Sequence, residues 1–309
     1  MENLAVSVII PTYNRANQLP FLFDSLSNQT FGNFELVLIN DGSRDDTITA
    51  VNLLHKKYSL DLIFHSIENS GRSKSRNYGV SKSSGELLIF FDDDVRPNKD
   101  SIANHLDYHC QNDNVILGGP YRYDENLFSR DFHHFRKKME DAWYPNNRYS
   151  DVQSLRINGG NFSVTKNLFQ SVGGFEERLN DKEDFFFAHT ANRLFESNVV
   201  LDLETWVYHD DYKTFSEYLE RVKETTAREQ NLLKIDPLLI EKDPLRFSAN
   251  KVGFFRRVLD DLLRTALVQE MIEHRFFANL PPKLRYWIYD LSISAVRTRE
   301  LENSNNSRI

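Results

Sequence analysis

The sequence predicts an α/β fold: a mainly parallel sheet flanked by helices, extended at its carboxyl-terminal end by helices alone. Three observations predict it. Apolar, β-branched runs alternate with helical patterns over about the first two hundred residues, the order that a parallel sheet with crossover helices requires. One of those runs, Leu87-Leu88-Ile89-Phe90-Phe91, is apolar without a break and stops at Asp92-Asp93-Asp94. Such a run suits a strand buried on both faces that emerges at a sheet edge, where its carboxylates meet solvent or a cation. From Tyr212 onward the strand pattern gives way to apolar residues at helical spacing.

The elements follow in order. Leu4 to Ile10 is a strand stopped by Pro11, and Leu19, Leu22, Phe23 and Leu26 mark the helix after it. Glu35 to Asn40 repeats the design, with Asp41-Gly42-Ser43 and Asp45-Asp46 leading into a helix that ends near Tyr58. A weaker strand spans Asp61 to His65, and Asn69-Ser70-Gly71 then breaks the chain ahead of Arg72, Lys74 and Arg76. After the acidic strand come a helix from Ile102 to His109 and a strand at Val115-Ile116-Leu117 closed by Gly118-Gly119-Pro120. The rhythm then fails. Phe128 to Trp143 reads as an amphipathic helix or flap, Pro145-Asn146-Asn147 as a loop, Arg156 to Val164 as a glycine-broken strand and Val172 to Glu176 as a turn. Asp181-Lys182-Glu183-Asp184 precedes a helix to Phe195, where acidic side chains suit the positive helix end and need be nothing more than caps. Val199 to Leu203 and Trp206 to Tyr208 are short strands. Helices then cover Phe215 to Leu233, the segment around Phe255 to Leu267, and Leu284 to Val296, separated by Asp236-Pro237, Asp243-Pro244 and Pro281-Pro282, with a polar, frayed tail from Glu302.

Composition excludes several classes. An apolar share of 40% in 309 residues supports a real core, and a formal net charge of -7 argues against broad nucleic-acid binding. The single cysteine, Cys110, excludes an intramolecular disulfide and a cysteine-based zinc cluster. No charged and apolar leader opens the sequence and no apolar stretch spans a bilayer, so a cytoplasmic protein, at most peripheral to the inner face of a membrane, is expected.

Asp92 and Asp94, two apart, repel unless a divalent cation, a basic neighbour or water offsets them. Oxygen ligands of this kind suit Mg2+ or Mn2+, which bridge phosphates, and a solvated acidic turn before Arg96-Pro97 is the other reading. A glycine-rich phosphate loop after the first strand would mark a sugar nucleotidyltransferase or a nicotinamide dehydrogenase, and Pro11-Thr12-Tyr13-Asn14 holds no glycine.

Val6 to Asn14, Asn40-Asp41-Gly42-Ser43, Asn69 to Asn77, Gly85 to Asp94 and Glu183-Asp184 stand in the order and spacing of the family-2 glycosyltransferases, which this chain resembles over about its first two hundred residues. The resemblance implies a GT-A fold, a nucleotide-sugar donor and inversion at the anomeric carbon. It also implies site residues. Pro11, Thr12, Tyr13, Asn14 and Arg15 correspond to the first nucleotide-binding loop, Asp41 to the acceptor of a hydrogen bond from the base, and Gly71, Arg72 and Arg76 to the segment near base and diphosphate. Asp92 and Asp93 fall on the ribose-directed and middle positions of the D-x-D motif. Asp94 is its metal-directed position, with His209 as a further ligand to Mn2+ or Mg2+. Asp184 corresponds to the general base, and Gly159, Gly160, Asn161 and Glu183 to the acceptor side. The Glu-Asp pair lacks the aromatic-glycine lead-in of many relatives and reads Leu179-Asn180-Asp181-Lys182 instead.

The expected organisation is a catalytic domain over residues 1–211, with a nucleotide-binding half at 1–119 and an acceptor half at 120–211, followed by a helical region at 212–309. The expected partners are a nucleotide sugar, with UDP first among nucleotides, and a saccharide or glycolipid acceptor; no nucleic acid is expected. Residues 251–309 carry ten Lys and Arg against seven Asp and Glu, with Phe254, Phe255, Phe276, Phe277 and Trp287 interleaved. That pattern makes the helical region a candidate for membrane contact or homodimer formation as well as for core packing. A scaffold that kept the fold and lost catalysis is the non-enzyme alternative.

Overall fold

The computed structural model describes residues 4–144, 148–151, 157–179, 181–236, 254–273, 276–277 and 279–306. The expected loop at 145–147, Arg156, Asn180, the breaks at Pro237 and Asp243-Pro244, and the tail at 307–309 lie outside them. The chain forms two compact units, one of residues 1–124 and 140–211 and the other of residues 125–139 and 212–309.

The first unit is built on an eight-stranded sheet. Its elements are β1 (Val6–Thr12), α1 (Leu19–Ser27), β2 (Phe34–Asp41), α2 (Thr47–Lys57), β3 (Asp61–Ile67), α3 (Arg72–Lys82), β4 (Leu87–Phe91), β5 (Val95–Pro97), α4 (Ser101–His109), β6 (Val115–Gly118) and β7 (Tyr121–Arg122). After α5 (Asp131–Asp141), most of which belongs to the other unit, come β8 (Tyr149–Asp151), β9 (Asn161–Thr165), α6 (Lys166–Val172), α7 (Glu183–Phe195), β10 (Asn198–Asp202) and β11 (Val207–His209). The strand order is β3-β2-β1-β4-β9-β6-β10-β8, and a small sheet β5-β11-β7 stands beside it. β1 pairs in parallel with β2 and β4, as do β2 with β3 and β6 with β10, whereas β9 runs against both β4 and β6. The sheet is therefore mainly parallel, as expected. Its reversal at β9 brings a late segment of the chain against the acidic strand.

The pleat sorts side chains into two layers. Val8 and Ile10 of β1 and Leu87, Ile89 and Phe91 of β4 pack with Leu22, Phe23 and Leu26 of α1 on one face. Ile9, Leu88 and Phe90 pack with Phe162, Phe169 and Phe187 on the other. All five β4 side chains are fully buried, each contributing about 2 kcal/mol of transfer free energy. A strand so committed cannot slip by one residue without reversing both layers, and this fixes where Asp92-Asp93-Asp94 emerge. Gly79 of α3 sets the depth of the neighbouring helix, since a Cβ there would stand 2.7 Å from the Ile9 side chain.

The second unit holds α8 (Phe215–Ile235), α9 (Phe254–Leu263), α10 (Ala266–Glu273) and α11 (Pro282–Asn306). Thr214 opens α8 with a reciprocal capping box, its side chain accepting from the Glu217 amide while the Glu217 carboxylate accepts from the Thr214 amide. Phe132 and Phe135 of α5 join Phe215, Leu219, Ile272, Tyr289 and Val296 in one core. Residues 125–139 thus group with the carboxyl-terminal helices and not with the segment 120–211. The frayed tail expected from Glu302 is overturned as far as Asn306: α11 continues through it, with Leu301 buried. No helix among the described residues is long and apolar enough to cross a membrane.

Candidate functional site

The carboxyl ends of β1, β2 and β4 lie side by side, so the loops after them share one edge of the sheet. The first loop and the acidic loop are tied together. The Arg15 guanidinium reaches Asp94 at 3.1 Å and Asp93 at 3.4 Å, and the Tyr13 amide donates to Asp93 at 3.2 Å. Asn14 is in the left-handed region at φ 55°, and its side-chain oxygen accepts from the Arg44 amide at 2.8 Å. Pro11 and Thr12 are buried beneath them. Burial, with the Asp94 charge beside it, pushes Asp93 up to about 7.

Asp41 clamps the third loop. One carboxylate oxygen accepts from the Ser70 amide at 2.8 Å and the Ser70 hydroxyl at 3.3 Å; the other accepts from the Gly71 amide at 3.0 Å and from Asn69 at 3.4 Å. Gly71, at φ 94°, supplies the turn that only glycine adopts freely, and α3 starts directly after it. Arg72 is exposed on that helix and held firmly charged, chiefly by Asp92.

Arg76 follows on the same helix, α3. Its side chain is wholly buried, with one terminal nitrogen 2.6 Å from Asp92 and the other on Glu183. Both terminal nitrogens thus serve carboxylates from two distant segments, the loop directly after β4 and the start of α7. Asp92 is held below its usual value because Arg72 and Arg76 outweigh the burial that would raise it.

The tight turn at residues 158–161, closed by the Asn161 amide on the Asn158 carbonyl at 2.8 Å, passes between two carboxylates. A Cβ on Gly159 would stand 2.8 Å from Asp184, and one on Gly160 would stand 2.5 Å from Asp92 and 2.6 Å from the Tyr121 hydroxyl. The Gly159 amide donates to Asp184 at 2.8 Å, the Gly160 amide to Tyr121 at 3.1 Å, and the Asp92 amide to the Gly160 carbonyl at 3.3 Å. Only two glycines fit here. Asp184 stands in the first turn of α7, which follows Lys182, whose φ of 65° is costly for a residue with a Cβ. Burial first and the Glu183 charge second push Asp184 up to about 6, against the pull of Lys182 and Arg76.

Asp94 and His209 face each other, with 3.7 Å between a carboxylate oxygen and the ring Nε2. That oxygen of Asp94 is buried without a hydrogen-bond partner, as is Nδ1 of His209. No group of three or more His, Cys, Asp or Glu side chains that could hold a metal ion occurs among the described residues. A carboxylate oxygen and an imidazole nitrogen suit Mn2+ or Mg2+ when a substrate phosphate completes the shell.

Asn161, expected on the acceptor side, lies at the start of β9. It is fully buried, its amide nitrogen donating to the Thr205 carbonyl at 2.8 Å and its oxygen 3.3 Å from His105, so it ties β9 to the protein interior. Glu183, also expected on that side, is buried against Arg76. Tyr121 was not singled out in the sequence, although its ring lies 4.4 Å from that of His209. A lone tyrosine after Gly119-Pro120 carries no motif, and only the pairing of β7 with β11 brings it to the site.

The model of the family described as Glycosyl transferase family 2 matches residues 7–200. A Rickettsia typhi glycosyltransferase is 27% identical over 271 residues, covering 82% of this chain and 80% of its own. Among solved structures, a Pyrobaculum calidifontis mannosyltransferase in complex with GDP-Man and Mn2+ is similar at TM-score 0.61 and 15% identity, over 96% of this chain and 86% of that one. TarS 1–349 of Staphylococcus aureus in complex with UDP-GlcNAc is similar at TM-score 0.55 and 19% identity, over 98% and 92%. The fold is that of the GT-A glycosyltransferases. This chain belongs to glycosyl transferase family 2 and is a glycosyltransferase.

Proposed function

We propose that the protein transfers a sugar from a nucleoside diphosphate, UDP in the first instance, to a hydroxyl of a saccharide or glycolipid acceptor by single displacement with inversion. One observation carries this reading: the Gly159-Gly160 turn touches Asp92 on one side and Asp184 on the other, so a donor-side and an acceptor-side carboxylate flank the same few ångströms of chain. In-line displacement needs that arrangement, with leaving group and proton acceptor on opposite sides of the reacting carbon.

The residues divide the work as follows. Asp94 and His209 would hold Mn2+ or Mg2+, and the cation supplies Lewis-acid stabilisation of charge on the departing diphosphate. Asp92, kept ionised by Arg72 and Arg76, receives ribose hydroxyls, and Arg72 supplies positive charge at the exposed end of α3. Asp41 accepts from the base N–H in place of its two long bonds, to the Ser70 hydroxyl and Asn69. Asp184 takes the acceptor proton, since a carboxylate raised to about 6 is ionised at neutral pH yet more basic than an ordinary one.

Asp184→Asn tests this reading. Asparagine keeps the side-chain oxygen that accepts from the Gly159 amide but cannot take a proton. The variant is expected to bind UDP as the wild type does and to lose on the order of 10²–10⁴ in transfer rate. Near wild-type turnover, or a product that retains the donor's anomeric configuration, overturns the assignment.

A further inference from the structure

The helical unit contains a cavity of about 370 Å3, within the range of small-molecule sites. Phe128, Phe132 and Phe277 give it aromatic walls, and Asp131, Arg285 and Tyr289 give it a polar one. The polar wall is built: Arg285 donates to one Asp131 oxygen at 2.8 Å and the Tyr289 hydroxyl to the other at 3.4 Å. Those two bonds use about half of the lone-pair sites a carboxylate offers, and the Asp131 side chain keeps 28% exposure.

We infer that this cavity is a binding site for a neutral saccharide, separate from the nucleotide-sugar site. The lining selects the class. An apolar chain would bury the Asp131 and Arg285 charges without giving either a new hydrogen bond. The lining carries both signs, Asp131 with Arg285 and Arg130, so an anion or a cation would each meet a like charge as well as an opposite one. A sugar ring answers both surfaces, because each hydroxyl donates to a carboxylate and accepts from a guanidinium while the C–H face lies on an aromatic ring. Phe128 is half-buried, lines the cavity, and has the rings of His134, His133 and Tyr212 around it at 4.8, 5.7 and 6.2 Å. The site stands on the cavity alone; that its ligand is part of the acceptor rests on the transfer proposed above.

Saturation-transfer NMR on the full chain tests the site, with methyl α-D-mannopyranoside, methyl β-D-glucopyranoside, lactose and N,N'-diacetylchitobiose as probes and hexanoate and inorganic phosphate as competitors. At least one sugar is expected to give a signal that Phe128→Ala and Asp131→Asn each abolish while UDP and Asp184→Asn leave it intact. Phe128→Ala removes an aromatic wall and no ion pair, so it reports even where Asp131→Asn lowers the melting temperature. No signal from any sugar, a sugar signal that UDP removes, or displacement by hexanoate or phosphate overturns the inference. Its link to the acceptor is read separately: Phe128→Ala is expected to raise KM for a saccharide acceptor about tenfold, the equivalent of ~1.4 kcal/mol, with donor KM unchanged. An unchanged acceptor KM alongside intact sugar binding would sever that link and leave the site standing.

Discussion

Arg76 and Asp184 show how much a single side chain's surroundings decide. Removing Arg76 leaves Glu183 and Asp92 as neighbouring carboxylates without their shared cation, and breaking a buried pair in this way costs about 3–5 kcal/mol. Chemical denaturation of Arg76→Ala is expected to show a loss of that size, and Arg76→Lys, which keeps the charge but not the fork, should recover only part of it. Loss of under about 1 kcal/mol in Arg76→Ala would mean that the two carboxylates do not depend on it. Asp184 faces Glu183, Lys182 and Arg76, and with a value raised to about 6 it is protonated and useless as a base below that pH. The transfer rate should therefore fall as pH drops through about 6, and Asp184→Asn should lose that limb of the profile as well as most of its rate. A wild-type profile flat down to pH 5 would disagree with this assignment.

At the scale of elements, the site depends on close approach. Gly160→Ala would drive a methyl group into Asp92 and the Tyr121 hydroxyl, and misplacement by about 1 Å at a reacting centre can cost on the order of 10² in rate. Steady-state kinetics of Gly160→Ala should show a fall of that order in kcat/KM with the melting temperature less affected, and wild-type kinetics would deny the turn its role. Behind the site, α4 and β9 share a buried polar network. His105 lies 2.8 Å and His109 2.9 Å from the Ser163 hydroxyl, and burial depresses them to about 4 and about 3. In the unfolded chain each titrates near 6.5, so between that pH and their folded values the unfolded state binds more protons. Their contribution to stability is present above pH ~6.5 and is lost as pH falls, at up to about 1.4 kcal/mol per pH unit for each histidine. Melting temperatures from pH 7 to 4 should drop less steeply in His105→Gln/His109→Gln, and parallel curves would place the acid sensitivity elsewhere. None of this was legible beforehand, since two histidines four apart in an amphipathic helix look like any others.

For the whole molecule, the test is linkage between donor and metal. UDP should raise the melting temperature strongly with Mn2+ or Mg2+ and weakly in excess chelator, and Asp94→Ala should lose most of the metal-dependent part. Equal shifts with and without metal would remove the cation from donor binding. The sequence by itself determined the mainly parallel sheet, the burial of Leu87 to Phe91 and the edge where Asp92-Asp93-Asp94 emerge, because hydrophobic periodicity and strand length are local properties that each segment carries whole. It also carried the family, through five short motifs in order. Tertiary structure alone decided that Arg76 joins Asp92 to Glu183, that Asn161 turns inward, that Tyr121 reaches His209 and that residues 125–139 group with the carboxyl-terminal helices. Those facts depend on which side chains meet across long intervals, from 16 residues between Arg76 and Asp92 to 158 between Asp131 and Tyr289. Charge pairing, close approach and burial are properties of the meeting, and no single segment holds them.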